Sequence, residues 1–151
     1  LANKVINAPQ KIYQPTISNP NETATLTVIA ENAKGITIYP NASCASSDNP
    51  EKRKISGGLV QSLRSFVKGA EPYTFKVNAN RPITVQMGFG TDTARCSRDI
   101  TSFFVPKLNS IYEAFLELDW DKKQCVMKLN EVVGEERIPV AIKSARECAS
   151  E

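Results

Sequence analysis

The sequence predicts a mainly β domain, an antiparallel β-sandwich or barrel of about seven to eight short strands with one short helix, and three observations carry this. Short runs rich in β-branched and aromatic residues alternate apolar with polar positions. Clusters of Asn, Asp, Gly, Ser and Pro separate these runs at short intervals. Four cysteines, at 44, 96, 125 and 148, lack the paired C-x-x-C spacing of a zinc or thioredoxin-like centre and read as two disulfides. A chain of 151 residues suffices for one domain with its own core.

Residues 1–22 contain scattered apolar residues and three prolines, which suits an extended N-terminal arm or edge segment ahead of a single domain over 23–151. With neither an initiator methionine nor a signal-type segment, the chain reads as a processed product. Thr23–Ala30 and Ile36–Tyr39 flank a turn and read as a hairpin, with Ala24, Leu26 and Val28 on one face and Ile36 and Ile38 able to share it. Residues 40–58 read as a long surface loop carrying Lys52, Arg53 and Lys54. That basic triplet is the candidate partner-binding site for an anionic surface; a solvated turn is the plainer reading.

Between Gly58 and Lys68, Leu59, Val60, Leu63, Phe66 and Val67 fall at helical spacing, giving the one short helix, with a strand as the alternative. Tyr73–Val77 and Ile83–Met87 both alternate and are linked by Asn78–Pro82 as a second hairpin. Gly88 and Gly90 allow a bend, but no lysine or helix start follows to make a phosphate loop.

The stretch from Cys96 to Cys125 has the densest apolar patterning. Thr101–Val105 is a β-rich run that stops at Pro106. Tyr112, Ala114, Leu116, Leu118 and Trp120 fall on one side of an extended chain, and Glu113, Glu117 and Asp119 on the other. A helical stripe through Leu108, Ile111, Tyr112, Phe115 and Leu116 competes. The polar break at Asp121–Gln124, followed by the short run Cys125–Leu129, favours strands. The three runs then form a meander, with Trp120 in the core. Ile138–Ile142 is the last strand, and Pro139 places it at an edge.

In that meander Cys96 begins the first strand at the end where the second finishes, which pairs Cys96 with Cys125 and leaves Cys44 for Cys148. Two disulfides imply an oxidising compartment.

No histidine is present, so Ser-His-Asp and Cys-His catalysis and histidine metal sites are excluded. Glu113, Glu117 and Asp119 share a strand face on which neighbouring same-face residues stand about 7 Å apart, a spacing within reach of a glycosidase-like acid–base pair. Any water-facing strand shows that pattern, so no catalytic residue is assigned. Asp92 and Asp99 lack the acidic loop of a calcium site. No cofactor or metal is expected. Nineteen basic against sixteen acidic residues are too balanced to imply a nucleic-acid partner. Asn21-Glu22-Thr23 and Asn41-Ala42-Ser43 match the N-glycosylation triplet, which matters only in a eukaryotic secreted protein.

Several motifs together carry a resemblance: YPNASC ending at Cys44, F-x-V-x-A-N-R-P-I-T-V over 75–85, C-x6-F-F-x-P from Cys96, Y-E-A-F-L from Tyr112, and Pro139-Val140 ahead of Cys148. Over about residues 23 to 148 the chain resembles the small β-rich, disulfide-containing lipoproteins of the Gram-negative envelope, which are largely uncharacterised. The resemblance implies an immunoglobulin-like or transthyretin-like sandwich and a periplasmic, outer-membrane address, with a lipid anchor on a cysteine outside this chain; secretion is the alternative. Because the resemblance is bacterial, the two Asn triplets are expected to be unmodified. The expected function is non-enzymatic binding of another envelope or secreted protein, as scaffold or assembly factor. A periplasmic inhibitor or immunity protein is the alternative. A small ligand- or carbohydrate-binding module resting on Tyr112 and Trp120 comes third.

Overall fold

A computed structural model describes residues 14–29, 35–56, 73–88, 100–119, 124–145 and 148. These hold ten strands and no helix: β1 Thr23–Val28, β2 Gly35–Tyr39, β3 Arg53–Ser56, β4 Tyr73–Asn78, β5 Ile83–Gly88, β6 Ile100–Phe104, β7 Ile111–Asp119, β8 Gln124–Val133, β9 Glu136–Pro139 and β10 Lys143–Ser144. They form two five-stranded sheets, ordered β4-β1-β7-β8-β9 and β10-β6-β5-β2-β3. Neighbours are antiparallel except β1 and β7, which run parallel.

The alternation read from sequence decides which side chains are buried. Ala24, Leu26 and Val28 of β1, and Tyr112, Ala114 and Leu116 of β7, all point into the core, and β7 is a strand rather than the competing helix. One hydrophobic cluster draws on both sheets, with Leu26, Phe75, Val77, Met127 and Leu129 from the first and Ile36, Ile38, Val85, Met87 and Phe104 from the second. The central strand of the second sheet, β5, and its neighbour β2 are apolar on this face, as burial from above requires.

The expected hairpins are corrected. β1 pairs with β4 and β7 while β2 pairs with β3 and β5, so the two strands enter different sheets. β4 and β5 separate in the same way. The meander is corrected too: β6 joins β5 and β10, and the three-strand meander is β7-β8-β9. The physical reason is common to all three. Two successive strands with inward apolar faces satisfy the core equally well side by side or facing one another, and alternation does not distinguish these. β6 and β7 are therefore not neighbours, and no strand pairing between them brings Cys96 to Cys125.

Three further expectations change. The segment read as a loop over 40–58 ends in strand β3, paired with β2 across a bulge at Ile36 and Thr37. The last strand expected at 138–142 is replaced by two: β10 at Lys143–Ser144 and, before it, Glu136–Pro139, which pairs with β8 at the sheet edge, where Pro139 needs no outward donor. Val140 and Ile142 beyond it pack against the core, and Lys143–Ser144 crosses to the second sheet. The helix expected over 58–68, the core position of Trp120, and Cys96 lie outside the described residues.

Tyr112 ties the sheets together. It is 1% exposed, its ring lies 5.0 Å from that of Phe104 in the other sheet, and its hydroxyl accepts from the Lys107 N–H at 2.9 Å. Pro106, fully buried beside it in sequence, offers its carbonyl to the Asn80 N–H at 2.8 Å. The connection β6–β7 is thereby wrapped onto the core it crosses.

Replacing Tyr112 by Phe leaves the Lys107 N–H without its acceptor and should cost about 1–3 kcal/mol. Leu26→Ala, at a site with no exposure, should cost about 2–5 kcal/mol. Thr74→Ala on the exposed face should stay within about 0.5 kcal/mol. Urea unfolding followed by far-UV circular dichroism measures all three.

Candidate functional site

The face with most convergent polar chemistry lies where the N-terminal arm, the turn after β2 and the end of β4 meet. Asn78 closes β4 and is buried, 7% exposed, so its carboxamide needs partners. It finds three. Its Nδ2 donates to Thr16 O at 3.1 Å and to Asn41 Oδ1 at 2.9 Å, and its Oδ1 accepts the Ser18 N–H at 2.9 Å. Asn41 adopts φ 57°, a left-handed turn that asparagine tolerates and a β-branched residue would resist. The arm, the turn and β4 are fastened by one side chain.

Gln14 extends the fastening along the edge. Its Nε2 donates to Lys76 O at 2.9 Å and its Oε1 accepts the Lys76 N–H at 3.0 Å, the pair of bonds a neighbouring strand would make. Arg81 donates to Ser18 Oγ at 3.1 Å, and the Thr16 N–H donates to Glu51 Oε1 at 2.7 Å. The arm therefore reaches from the edge of one sheet to the residue just before the basic triplet of the other.

The segment after Asn41 is held by covalent and polar ties. Cys44 and Cys148 form a disulfide with Cα atoms 5.1 Å apart. Cys125 is also disulfide-bonded, and its expected partner Cys96 lies outside the described residues. Thr84 Oγ1 donates to Ala42 O at 2.7 Å and Asn49 Nδ2 to Pro40 O at 3.0 Å. Asn49 Oδ1 accepts the Glu51 N–H and its carbonyl accepts the Lys52 N–H, so the chain enters β3 through a defined turn.

The basic triplet is not a single flexible patch. Arg53 lies opposite Ile38 and Lys54 opposite Thr37. Since Ile38 points into the core and successive side chains alternate, Arg53 stands on the inner-face side of the edge and Lys54 on the outer face. All three side chains are exposed.

The acidic face gathers no catalytic pair. Glu113 is ion-paired to Arg137 of β9, Nε to Oε1 at 2.6 Å; the approach lacks hydrogen-bond alignment and is held by charge. Glu117 is exposed, and the side chain of Asp119 lies outside the described residues. Among the described residues no group of three carboxylates or cysteines is placed to hold a metal ion. A cleft beside Asn78, walled by Pro15, Pro40 and Pro82, has a volume of only about 10 Å³, room for a single water at most and not for a small ligand. Of the residues proposed for ligand binding, Tyr112 is sealed in the core.

Asn78 and Gln14 are the residues that sequence reasoning passed over. Asn78 reads as the first turn residue of a hairpin, and its burial becomes visible only once β4 and β5 part to different sheets. No known protein family matches the chain, and no curated protein resembles it at a significant level.

Removing the Cys44–Cys148 bridge by a double Ser substitution should cost about 2–5 kcal/mol, since it closes most of the chain into a loop. Thermal unfolding of wild type and variant under non-reducing conditions checks it.

Proposed function

We propose that this chain is a non-enzymatic envelope domain that binds another protein, with the charged edge of β3 as its contact surface. One observation carries the reading: Lys52 and Lys54 are exposed at an edge strand whose approach is fixed by the Cys44–Cys148 disulfide and the Asn49 turn. A rigid base with mobile cationic tips steers an acidic partner without a large ordering cost at the interface. The two sheets, sharing one core and joined by the Phe104–Tyr112 contact, supply the frame as an immunoglobulin-like or transthyretin-like β-sandwich. The periplasmic address and an N-terminal lipid anchor rest on the resemblance to Gram-negative envelope lipoproteins. Lysines on an edge strand also prevent unwanted sheet pairing, so the test must separate binding from mere solubility.

Lys52→Glu with Lys54→Glu should reduce capture of a partner from native envelope extract and slow its association, the loss shrinking as salt rises. The melting temperature should stay within a few degrees of wild type. Arg53 is left intact because it stands on the inner-face side. Glu117→Gln, on the other sheet, should leave capture unchanged. Full capture by the double variant, or equal loss with Glu117→Gln, would place the contact surface elsewhere.

A further inference from the structure

Among the described residues four strands stand at sheet edges, and they are protected by different means. β3 carries Arg53 and Lys54 directly after Lys52, β9 carries Glu136 and Arg137 and ends in Pro139, and β10 is two residues long. Charge, proline and brevity are each intrinsic to the strand and discourage pairing with another chain. β4, the remaining edge, reads Tyr-Thr-Phe-Lys-Val-Asn over six residues, with one charge and no proline. Its protection comes from outside the strand. The Gln14 carboxamide occupies the N–H and C=O of Lys76, and Ser18 and Thr16 are held beside it by Asn78.

We propose that residues 14–18 are an intramolecular guard on the β4 edge, and that their release lets two copies of this chain pair β4 to β4. The outward backbone groups of an antiparallel edge belong to alternate residues, so those of Thr74 share the direction of Lys76. A two-fold axis at Phe75 sets Thr74 of each copy opposite Lys76 of the other. That register matches outward N–H and C=O groups in two exchanged pairs and keeps the two Lys76 side chains from standing face to face. The interface is isologous, so it closes at the dimer. The guard uses side-chain and arm contacts that each break without disturbing the β1–β4 ladder, which makes it releasable.

The full chain carrying Gln14→Ala and Ser18→Pro loses the carboxamide pair and the donor to Asn78. Light scattering over a concentration series should show its dimer Kd lowered about tenfold or more relative to wild type. Adding Thr74→Lys, which sets lysine against Lys76 of the second copy, should return it to the wild-type value. Amide exchange should show the Lys76 N–H less protected in Gln14→Ala alone, with β7 and β8 unchanged, which also reports that the fold is intact. If Lys76 exchange rises while the dimer Kd of both variants equals that of wild type, the guard has no self-association to prevent and the proposal fails. Unchanged Lys76 exchange in Gln14→Ala, or a dimer that Thr74→Lys leaves in place, overturns it equally.

Discussion

The hydrogen bonds of the Asn78 carboxamide are the constraint on which the end of the molecule holding the arm and the charged edge depends. A buried primary amide without partners would cost several kcal/mol, roughly 2–7 by transfer measures, so this side chain is tolerated only where Thr16, Ser18 and Asn41 converge on it. Those partners come from the arm and from the turn that follows β2. Their convergence draws Thr16 to Glu51, and Glu51 immediately precedes Lys52, Arg53 and Lys54, the last two of which begin β3. The disulfide at Cys44 fixes the same segment from its other side. Position of the charged edge thus follows from one polar side chain and one covalent bond, set on an apolar core that needs neither.

That core is built by strands that change sheets. β1 and β2, β4 and β5, and β6 and β7 each divide between the two sheets, so these neighbours in sequence enter the shared core from different sheets rather than lie side by side. Such connections carry their own polar requirements. The β6–β7 connection meets them through the Tyr112 hydroxyl and the Pro106 carbonyl, the β4–β5 connection through the Asn80 N–H and the side chain of Asn78. The parallel β1–β7 contact is a consequence, since β7 reaches β1 by way of the opposite sheet rather than a turn.

Much of the burial was legible in the sequence, and much of the pairing was not. Alternation identifies the inward faces of β1, β2, β4, β5 and β7, because a two-residue period maps directly onto the pleat. It carries no information on the strand alongside. Polar linkers such as Asn78–Pro82 therefore read as hairpin turns, although they span the core. The Lys52–Lys54 run reads as loop because an edge strand of four residues, two of them cationic, lacks the apolar signal by which strands are recognised. Asn78 was hidden for a related reason: asparagine marks turns in sequence, and its burial depends on an arm more than fifty residues upstream.

The dependence on Asn78 is tested most directly by amide hydrogen exchange on the wild type and on Asn78→Ala. The Ser18 N–H bonds to the Asn78 side chain, whereas the Thr16 N–H bonds to Glu51 and never touches it. The account predicts that both lose protection together in the variant while amides of β7 and β8 keep theirs. Loss at Ser18 alone, with Thr16 as protected as in wild type, would contradict it.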